Sequence, residues 1–436
     1  MPLPFLANLY FNGAPSWMPE PWWLIKAGSA LGALILTKRY CSGRTNAAER
    51  NMHGRVVMIT GGTSGIGAAV ARELARRGAQ LVLLTRQAPS DPFLVDFVDD
   101  LRAQTGNDMV YAEQVDLASL HSVRRFATRW IDNAPPRRLD MVVLCAATLT
   151  PPGAAREETA EGVETTWMVN FLANFHLLGI LSPAIKAQPF DRDVRVILPT
   201  CSSYIASPPL RDALDRGAWT PGRAYARSKL ALMVFGRAFQ KHLDAYKRPD
   251  SLPMNARVVF VDPGYARTAG MVRWLTRGSL LGLLAYLALY LVPWLVLKSA
   301  DMAAQSILHA AMEEALGRGA GGRLVKECIE VDFARREVDD EAAAKELWEA
   351  SDALIERTEK KAAERRAREK KEREEGEKAE AERKVKEEKA REESEKVQEI
   401  EALVDTIKKG RAREVAAKKP KAGKGKKVKF GGEAEI

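Results

Sequence analysis

The glycine-rich segment at residues 60–67 constrains the fold of this chain more than any other feature. It reads TGGTSGIG and lies between a short apolar run, residues 56–59, and a helical pattern, residues 68–77. Glycines let the backbone turn tightly and approach a pyrophosphate, and the following helix directs its first N–H groups at that charge. A glycine turn without a ligand is the alternative. The segment predicts a dinucleotide-binding unit in which the cofactor contacts are Gly61, Thr63, Ser64, Gly65, Ile66 and Gly67.

Further short apolar runs alternate with helical patterns along the chain. The runs that fit buried strands are residues 81–84, 110–115, 141–144, 194–198 and 257–261, and residues 321–325 fit a final strand. Strands that alternate with helices in this way form a parallel sheet covered on both faces. The chain is therefore predicted to be α/β, with a doubly wound parallel sheet of the Rossmann type over residues 51–335.

The C-terminal part has a different composition. From about residue 337 the sequence is rich in Glu, Lys, Arg and Ala, and it lacks a sustained a/d repeat. We therefore predict a charged, partly helical arm over residues 336–407 rather than a long coiled coil. Residues 408–436 are predicted to be a basic, disordered tail. Much of the net charge of +10 lies at residues 411–429, where Glu414 is the single acid.

Such a basic tail suits an anionic surface, either lipid headgroups or RNA. Contact with anionic lipid is the expectation, and no specific nucleic-acid partner is expected. The four cysteines are widely spaced and the chain has five histidines, so no metal site is predicted. Cysteine usage of this kind fits a reducing compartment.

An apolar stretch near the N-terminus predicts a membrane anchor within residues 1–50. It runs from Trp22 to Leu36, is interrupted by Lys26, and is followed by Lys38 and Arg39. Tryptophans at one end and cations at the other resemble interface anchors, although a full span needs about 20 residues. A helix packed on the domain is the alternative. The positive-inside rule places the remaining chain on the cytosolic face, and the endoplasmic reticulum or a lipid droplet is the expected location.

Two residue patterns point to hydride chemistry. Arg86 stands at the end of the second predicted strand, where NAD-selective sheets usually carry an acid, and its guanidinium could pair with a 2′-phosphate. Tyr225 and Lys229 lie four residues apart on one helix face. A neighbouring ammonium and a positive nicotinamide would favour the phenolate, so Tyr225 is a candidate acid/base. A surface arginine and a chance helix pair are the alternatives.

Together these motifs resemble the short-chain dehydrogenase/reductase superfamily over residues 52–333. TGGTSGIG followed by YARSK is a specific combination, and YARSKLA with VNFL at residues 169–172 looks most like the retinol-dehydrogenase branch. The anchor, the charged arm and LSPA at residues 181–184 look like membrane-bound fungal oxidoreductases. The resemblance implies NADP(H)-dependent hydride transfer to or from a lipophilic alcohol or carbonyl, of the sterol, retinoid, polyprenoid or acyl-lipid class.

The resemblance also assigns roles to further residues. Asn170 looks like the family's proton-relay asparagine. Contacts to the cofactor are implied at Asp116, Leu117, Ala146, Pro263, Gly264 and Thr268. The apolar run at residues 280–297, which we call the lid, occupies the place of the family's substrate lid. It is expected to dip into lipid, and a second transmembrane helix is the alternative.

Two departures from the family pattern put the activity in doubt. The fourth strand ends in Leu-Cys-Ala-Ala, residues 144–147, where the family usually has Asn-Asn-Ala-Gly. The catalytic serine falls on either Cys201 or Ser202, and we expect Ser202. A catalytically degenerate membrane scaffold that binds partners through its charged arm is therefore the alternative function.

Overall fold

The computed structural model describes residue 11, residues 21–211 and residues 219–417. Eight strands in the described part form one sheet. They are β1 Val56–Thr60, β2 Gln80–Thr85, β3 Val110–Gln114, β4 Met141–Leu144, β5 Val194–Pro199, β6 Ala256–Asp262, β7 Arg323–Lys326 and β8 Ile329–Val331.

The order of strands in the sheet is β3-β2-β1-β4-β5-β6-β7-β8. The first seven strands are parallel, and β8 pairs antiparallel with β7. The strands predicted from the apolar runs are therefore confirmed, as is the doubly wound fold. The chain order reverses between β1 and β4, and a crevice at the carboxyl ends of the strands at such a switch point is where ligands bind.

Helices cover both faces of the sheet and enclose two apolar cores. They are α1 Pro21–Ser42, α2 Gly65–Arg76, α3 Pro92–Thr105, α4 Leu120–Ile131, α5 Ala173–Lys186, α6 Pro221–Asp244, α7 Ala269–Leu275, α8 Leu280–Ala288, α9 Leu291–Val296, α10 Ala300–Met312 and α11 Glu341–Ala417. The cores form because each covering helix buries one stripe. In α2, for example, Val70 and Leu74 are fully buried.

α5 is the most apolar helix of the core. The chain enters it through a short turn, Thr165–Trp167, and a π-helical turn, Met168–Leu172. Among the described residues, Thr165–Lys186 is the helical stretch whose length and hydropathy match those of a membrane span. Because 72% of its apolar window is buried inside the protein, we assign it to the core of the domain.

The lid is not one continuous helix. It forms α8 and α9, which are separated at Leu289 and Tyr290. The two ends of the excursion that contains it meet at a backbone bridge, where the Arg267 N–H donates to the Lys298 carbonyl at 2.8 Å. The segment thus leaves and re-enters the domain at one point.

The anchor helix α1 packs beside the lid. The Lys38 ammonium donates to the carbonyls of Trp294 and Leu297 at 2.6 and 3.2 Å, and it lies 5.0 Å from the Trp294 ring centroid. Most of the large apolar side chains of α1 and the lid remain exposed, including Trp22, Trp23, Ile25, Ile35, Leu36, Leu280, Leu281, Leu284, Leu287, Leu289 and Leu291. Together these side chains form an apolar surface, which we call the lid–anchor surface.

The compact unit extends to Ala362, so the domain boundary expected at residue 335 is wrong. The first turns of α11 pack on the domain, where Trp348 lies 5.2 Å from the Phe175 ring and 5.6 Å from the Phe235 ring. Charged neighbours conceal this apolar stripe in the sequence. α11 continues as a helix to Ala417, so the expected disorder is also wrong for residues 408–417. Residues 418–436 of the predicted tail lie outside the described part.

Candidate active site

The glycine segment forms a close turn between β1 and α2 that has no room for side chains. Gly61 and Gly65 adopt positive φ angles of 65° and 55°. A Cβ on Gly67 would lie 2.2 Å from the Gly61 carbonyl oxygen, and one on Gly61 would lie 2.9 Å from the Ala146 Cα. Ser64 stands at the N-cap of α2 without a side-chain cap, so no serine hydroxyl competes for the first helical N–H groups. These features fit a pyrophosphate.

The next candidates surround this turn. Thr268 lies beside Gly65, since a Cβ on Gly65 would be 3.2 Å from the Thr268 Cγ2. Ala146 donates its N–H to the Thr60 hydroxyl at 3.1 Å, which holds the end of β4 against the turn. Gly264, at φ 75°, donates its N–H to the Asp262 carboxylate at 3.0 Å in the loop after β6. Both loops therefore lie at the carboxyl edge of the sheet, as a cofactor site requires.

Arg86 and Asp116 mark the other end of this edge. Arg86 follows β2 directly and is exposed, and no ion pair joins it to another of the described residues. The Asp116 carboxylate accepts from the Ala118 N–H at 2.9 Å, so it also caps the turn in which Leu117 is buried. The guanidinium is thus available to a bound anion, whereas Asp116 already has a local structural role.

Tyr225 and Lys229 lie on α6 with their side chains together. The Lys229 Nζ is 5.7 Å from the centroid of the Tyr225 ring and donates to the Pro199 carbonyl at 3.0 Å. Burial lowers the pKa of Lys229. Desolvation, followed by contact with Cys201, raises the pKa of the Tyr225 hydroxyl well above its usual value. In this structure the pKa of Tyr225 is therefore raised, whereas the sequence suggested a lowering by the ammonium and the nicotinamide together.

Cys201, not Ser202, stands beside the Tyr225 hydroxyl. Contact with the Cys201 thiol is among the causes that raise the pKa of Tyr225. The Ser202 hydroxyl instead donates to the Asp262 carboxylate and accepts from the Lys326 ammonium at 3.1 Å. Cys201 has an extended backbone, φ −159° and ψ 152°, and consecutive side chains of an extended chain point to opposite sides. The structure therefore places Cys201 beside the Tyr225 hydroxyl, and the expected catalytic role of Ser202 stays a prediction.

Asn170 lies fully buried in the π-helical turn that precedes α5. Its amide donates to the Thr148 carbonyl at 3.0 Å and to the Ser228 hydroxyl at 3.1 Å, and its oxygen accepts from the Thr148 N–H at 2.7 Å. The Ser228 hydroxyl in turn donates to the Tyr225 carbonyl at 2.8 Å. Asn170 thus ties the loop after β4 to the helix that carries Tyr225 and Lys229.

Sequence reasoning missed a polar cavity next to Cys201. The cavity has a volume of ≈ 190 Å³, and its lining residues include Cys201, Ser202, Asp262, Lys298 and Lys326. Asp262 is buried, and its carboxylate lies 3.6 Å from the Lys326 ammonium. The sequence could have indicated this cavity only through position, because Asp262 and Lys326 are the last residues of two adjacent strands.

Cys145 occupies the first of the altered positions after β4. Burial raises the pKa of its thiol to about 12, although the nearby Lys229 ammonium opposes this effect. The thiol is therefore protonated at neutral pH and has little nucleophilic character. The position where the resemblance leads us to expect an asparagine thus carries a small, neutral side chain beside Lys229.

The family model for short chain dehydrogenases matches residues 55–277, which span the glycine turn and the Tyr225–Lys229 pair. The chain belongs to the short-chain dehydrogenase family. An uncharacterized oxidoreductase of Schizosaccharomyces pombe is 41% identical over 85% of this chain and 100% of its own length. This relationship confirms the resemblance to the fungal oxidoreductases.

Mammalian relatives confirm the retinol-dehydrogenase-like branch. A polyprenol dehydrogenase of Mus musculus is 34% identical over 70% of this chain and 81% of its own length. Retinol dehydrogenase 13 of the same organism is 30% identical over 75% and 92%, respectively. A solved structure from Mycobacterium paratuberculosis matches 72% of this chain and 98% of its own with a TM-score of 0.51 at 24% identity, which supports the fold.

Proposed function

We propose that this chain is an NADP(H)-dependent oxidoreductase that acts on a lipophilic carbonyl or alcohol at a membrane surface. The observation that carries the proposal is the placement of the Tyr225 hydroxyl, the Lys229 ammonium and the Cys201 thiol at one edge of the sheet, alongside a glycine turn that fits a pyrophosphate. The relatives named for polyprenol and retinol support the substrate class.

The chain's own residues account for binding and proton transfer. The turn from Gly61 to Gly67 would hold the pyrophosphate, and Arg86 would hold a 2′-phosphate. When bound, the cofactor supplies a hydride to the carbonyl carbon. In the reductive direction, Tyr225 donates its proton to the carbonyl oxygen, which becomes the hydroxyl of the product. The Lys229 ammonium beside the ring would stabilise the phenolate that this transfer leaves behind.

The lid provides a place for the apolar part of a substrate. α7, α8 and α9 enclose an open cavity of ≈ 660 Å³ whose lining includes Leu281, Tyr286, Leu289, Val292 and Pro293. A cavity of this size is in the range of small-molecule sites, about 300–1,000 Å³. Because the lid–anchor surface is also apolar, the cavity would open toward lipid, and the substrate would not have to cross water.

The same surface supports a membrane location on the cytosolic face of the endoplasmic reticulum or a lipid droplet. A scaffold with no activity is the weaker proposal, because it has no physical need for Lys229 in a buried position against Tyr225 or for the tight turn at Gly67. Burial of an ammonium costs free energy, so a scaffold gains nothing from keeping Lys229 buried.

Arg86 is expected to select NADPH over NADH. Arg86→Asp should erase or reverse the preference, because the carboxylate repels the 2′-phosphate and accepts from a ribose hydroxyl. Fluorescence titration of the purified protein with each cofactor measures the two Kd values. Arg76→Asp, an exposed change in the last turn of α2, is the control and should leave the preference intact. Equal affinities of the parent protein for both cofactors would contradict the assignment.

A charge on the lid–anchor surface is expected to impair turnover of lipid substrates alone. Leu284→Glu places a carboxylate on an exposed apolar position of α8, and this change should weaken membrane association. Oxidation of NADPH should then fall with a long-chain aldehyde in vesicles and stay unchanged with a small water-soluble aldehyde. Phe93→Glu changes an exposed apolar side chain of α3 and is the matched control. Equal losses on both substrates would mean that the lid acts by folding rather than by lipid access.

A further inference from the structure

The distal part of α11 is a helix that has no tertiary packing in the described structure. From residue 367 to residue 413 every described side chain is exposed. Ion pairs between residues four apart recur along it, including Arg368–Glu372, Arg373–Glu377 and Arg391–Glu395. Each such pair stabilises an isolated helix modestly. Local charge pairing therefore supports this part of the helix, and burial does not.

Near the end of this helix the pattern changes from charged to amphipathic. Five large aliphatic side chains lie at helical spacing and are 43–62% exposed: Val397, Ile400, Leu403, Val404 and Ile407. We call them the tip stripe. Side chains three and four residues apart share one helix face, so the five form a single apolar stripe. The ion-paired helix between residues 363 and 396 extends about 51 Å at 1.5 Å per residue.

The charges around the tip stripe are sorted along the helix. The acids Glu399, Glu401 and Asp405 interleave with the stripe and fall at its margins or on the opposite face. The cations Lys408, Lys409, Arg411 and Arg413 follow the stripe directly, and the sequence beyond them stays strongly basic. An apolar stripe that continues into a cationic segment is complementary to a lipid layer that has an apolar interior and anionic headgroups.

We infer that the tip stripe and the cations that follow it form a second membrane-binding element, and that its partner is an anionic lipid bilayer. The aliphatic side chains insert at the level of the headgroups, and the cations pair with lipid phosphates and carboxylates. This element is separate in sequence from the lid–anchor surface, and it requires neither cofactor nor substrate.

A second copy of the chain fits the stripe less well. Continuing the heptad of Val397, Ile400, Val404 and Ile407 toward the N-terminus places Ala390 and Arg383 at one core position and Glu393 and Lys386 at the other. A coiled coil calls for about three to four heptads with apolar residues at these positions. RNA would use the cations, but it offers no apolar layer for five aliphatic side chains.

The test compares full-length variants in their binding to vesicles of phosphatidylcholine with and without phosphatidylserine. Ile400→Glu combined with Val404→Glu should raise the Kd for the anionic vesicles roughly tenfold or more and leave the Kd for neutral vesicles unchanged. Val385→Glu, on an exposed aliphatic position of the same helix outside the stripe, is the matched control. Lys408, Lys409, Arg411 and Arg413 changed together to Gln test the charged half and should give the same selective loss.

A local readout separates this element from the lid–anchor surface. Trypsin cleavage at residues 408–413, followed by mass spectrometry, should be slowed by anionic vesicles in the parent protein and not in the double variant. Equal binding of parent and double variant to anionic vesicles would overturn the inference. So would a loss that shows itself as a change from dimer to monomer by light scattering, because it would make a second copy the partner. Protection from trypsin by RNA alone would overturn it as well.

Discussion

Tyr225→Phe is expected to reduce kcat by about 10²–10⁴-fold while the Kd for NADPH stays nearly constant. This range is the usual contribution of a positioned acid or base. The hydroxyl lies beside Cys201 and close to the Lys229 ammonium, so it is placed to pass a proton to a substrate oxygen in the site. The glycine turn that would bind the pyrophosphate does not depend on it. Single-turnover oxidation of NADPH gives the rate, and fluorescence titration gives the affinity.

Two controls decide between a chemical and a structural role. Tyr111→Phe removes a hydroxyl from an exposed position on β3, and it should leave both measurements unchanged. Lys229→Met should lower the rate as Tyr225→Phe does, because Lys229 donates to the Pro199 carbonyl from beside the same phenol. If cofactor binding were lost in parallel with turnover, the role of Tyr225 would be structural and the proposed acid would have to be sought elsewhere in the site.

The sequence predicted the sheet well because its strands are continuous apolar runs. β1, β4 and β5 are buried along their whole length. Strands buried on both faces are continuous apolar runs, which can be recognised in the sequence. β8 has three residues that are all exposed, and it left no apolar signal. The end of the domain was misplaced because Trp348 and Ile355, which pack on the core, are set among charged residues of α11. Partners distant in sequence determine that packing.

The candidate site could be predicted where a motif fixes the backbone geometry. It was harder to predict where either of two adjacent side chains could face the site. The turn at Gly61 and Gly67 leaves no alternative residue, since any Cβ would collide with backbone. Residues 201 and 202 are a cysteine and a serine, and Cys201 has an extended backbone, so the thiol and the hydroxyl point in different directions. Register decides which of them faces Tyr225, and register depends on where β5 ends relative to β6, which short motifs do not encode.

Exchange of the thiol beside Tyr225 for a hydroxyl is expected to increase the activity. Cys201→Ser supplies a stronger hydrogen-bond donor to the substrate oxygen, since a thiol donates weakly. A donor at a developing oxyanion contributes on the order of 10²–10³ in kcat, so a gain of up to about 10²-fold is the upper expectation. Cys201→Ala should lower kcat only modestly, because it removes a weak donor.

The neighbouring position provides the control for this comparison. Ser202→Ala should change kcat little. The Ser202 hydroxyl does not face Tyr225, because it donates a hydrogen bond to Asp262 and accepts one from Lys326. The three variants are compared by kcat at saturating NADPH, with cofactor affinity measured alongside to exclude a change in binding. A large loss in Ser202→Ala together with no response at position 201 would show that Ser202 faces the substrate. A gain in Cys201→Ser would instead mean that the natural thiol holds the rate below what this arrangement of Tyr225 and Lys229 can reach.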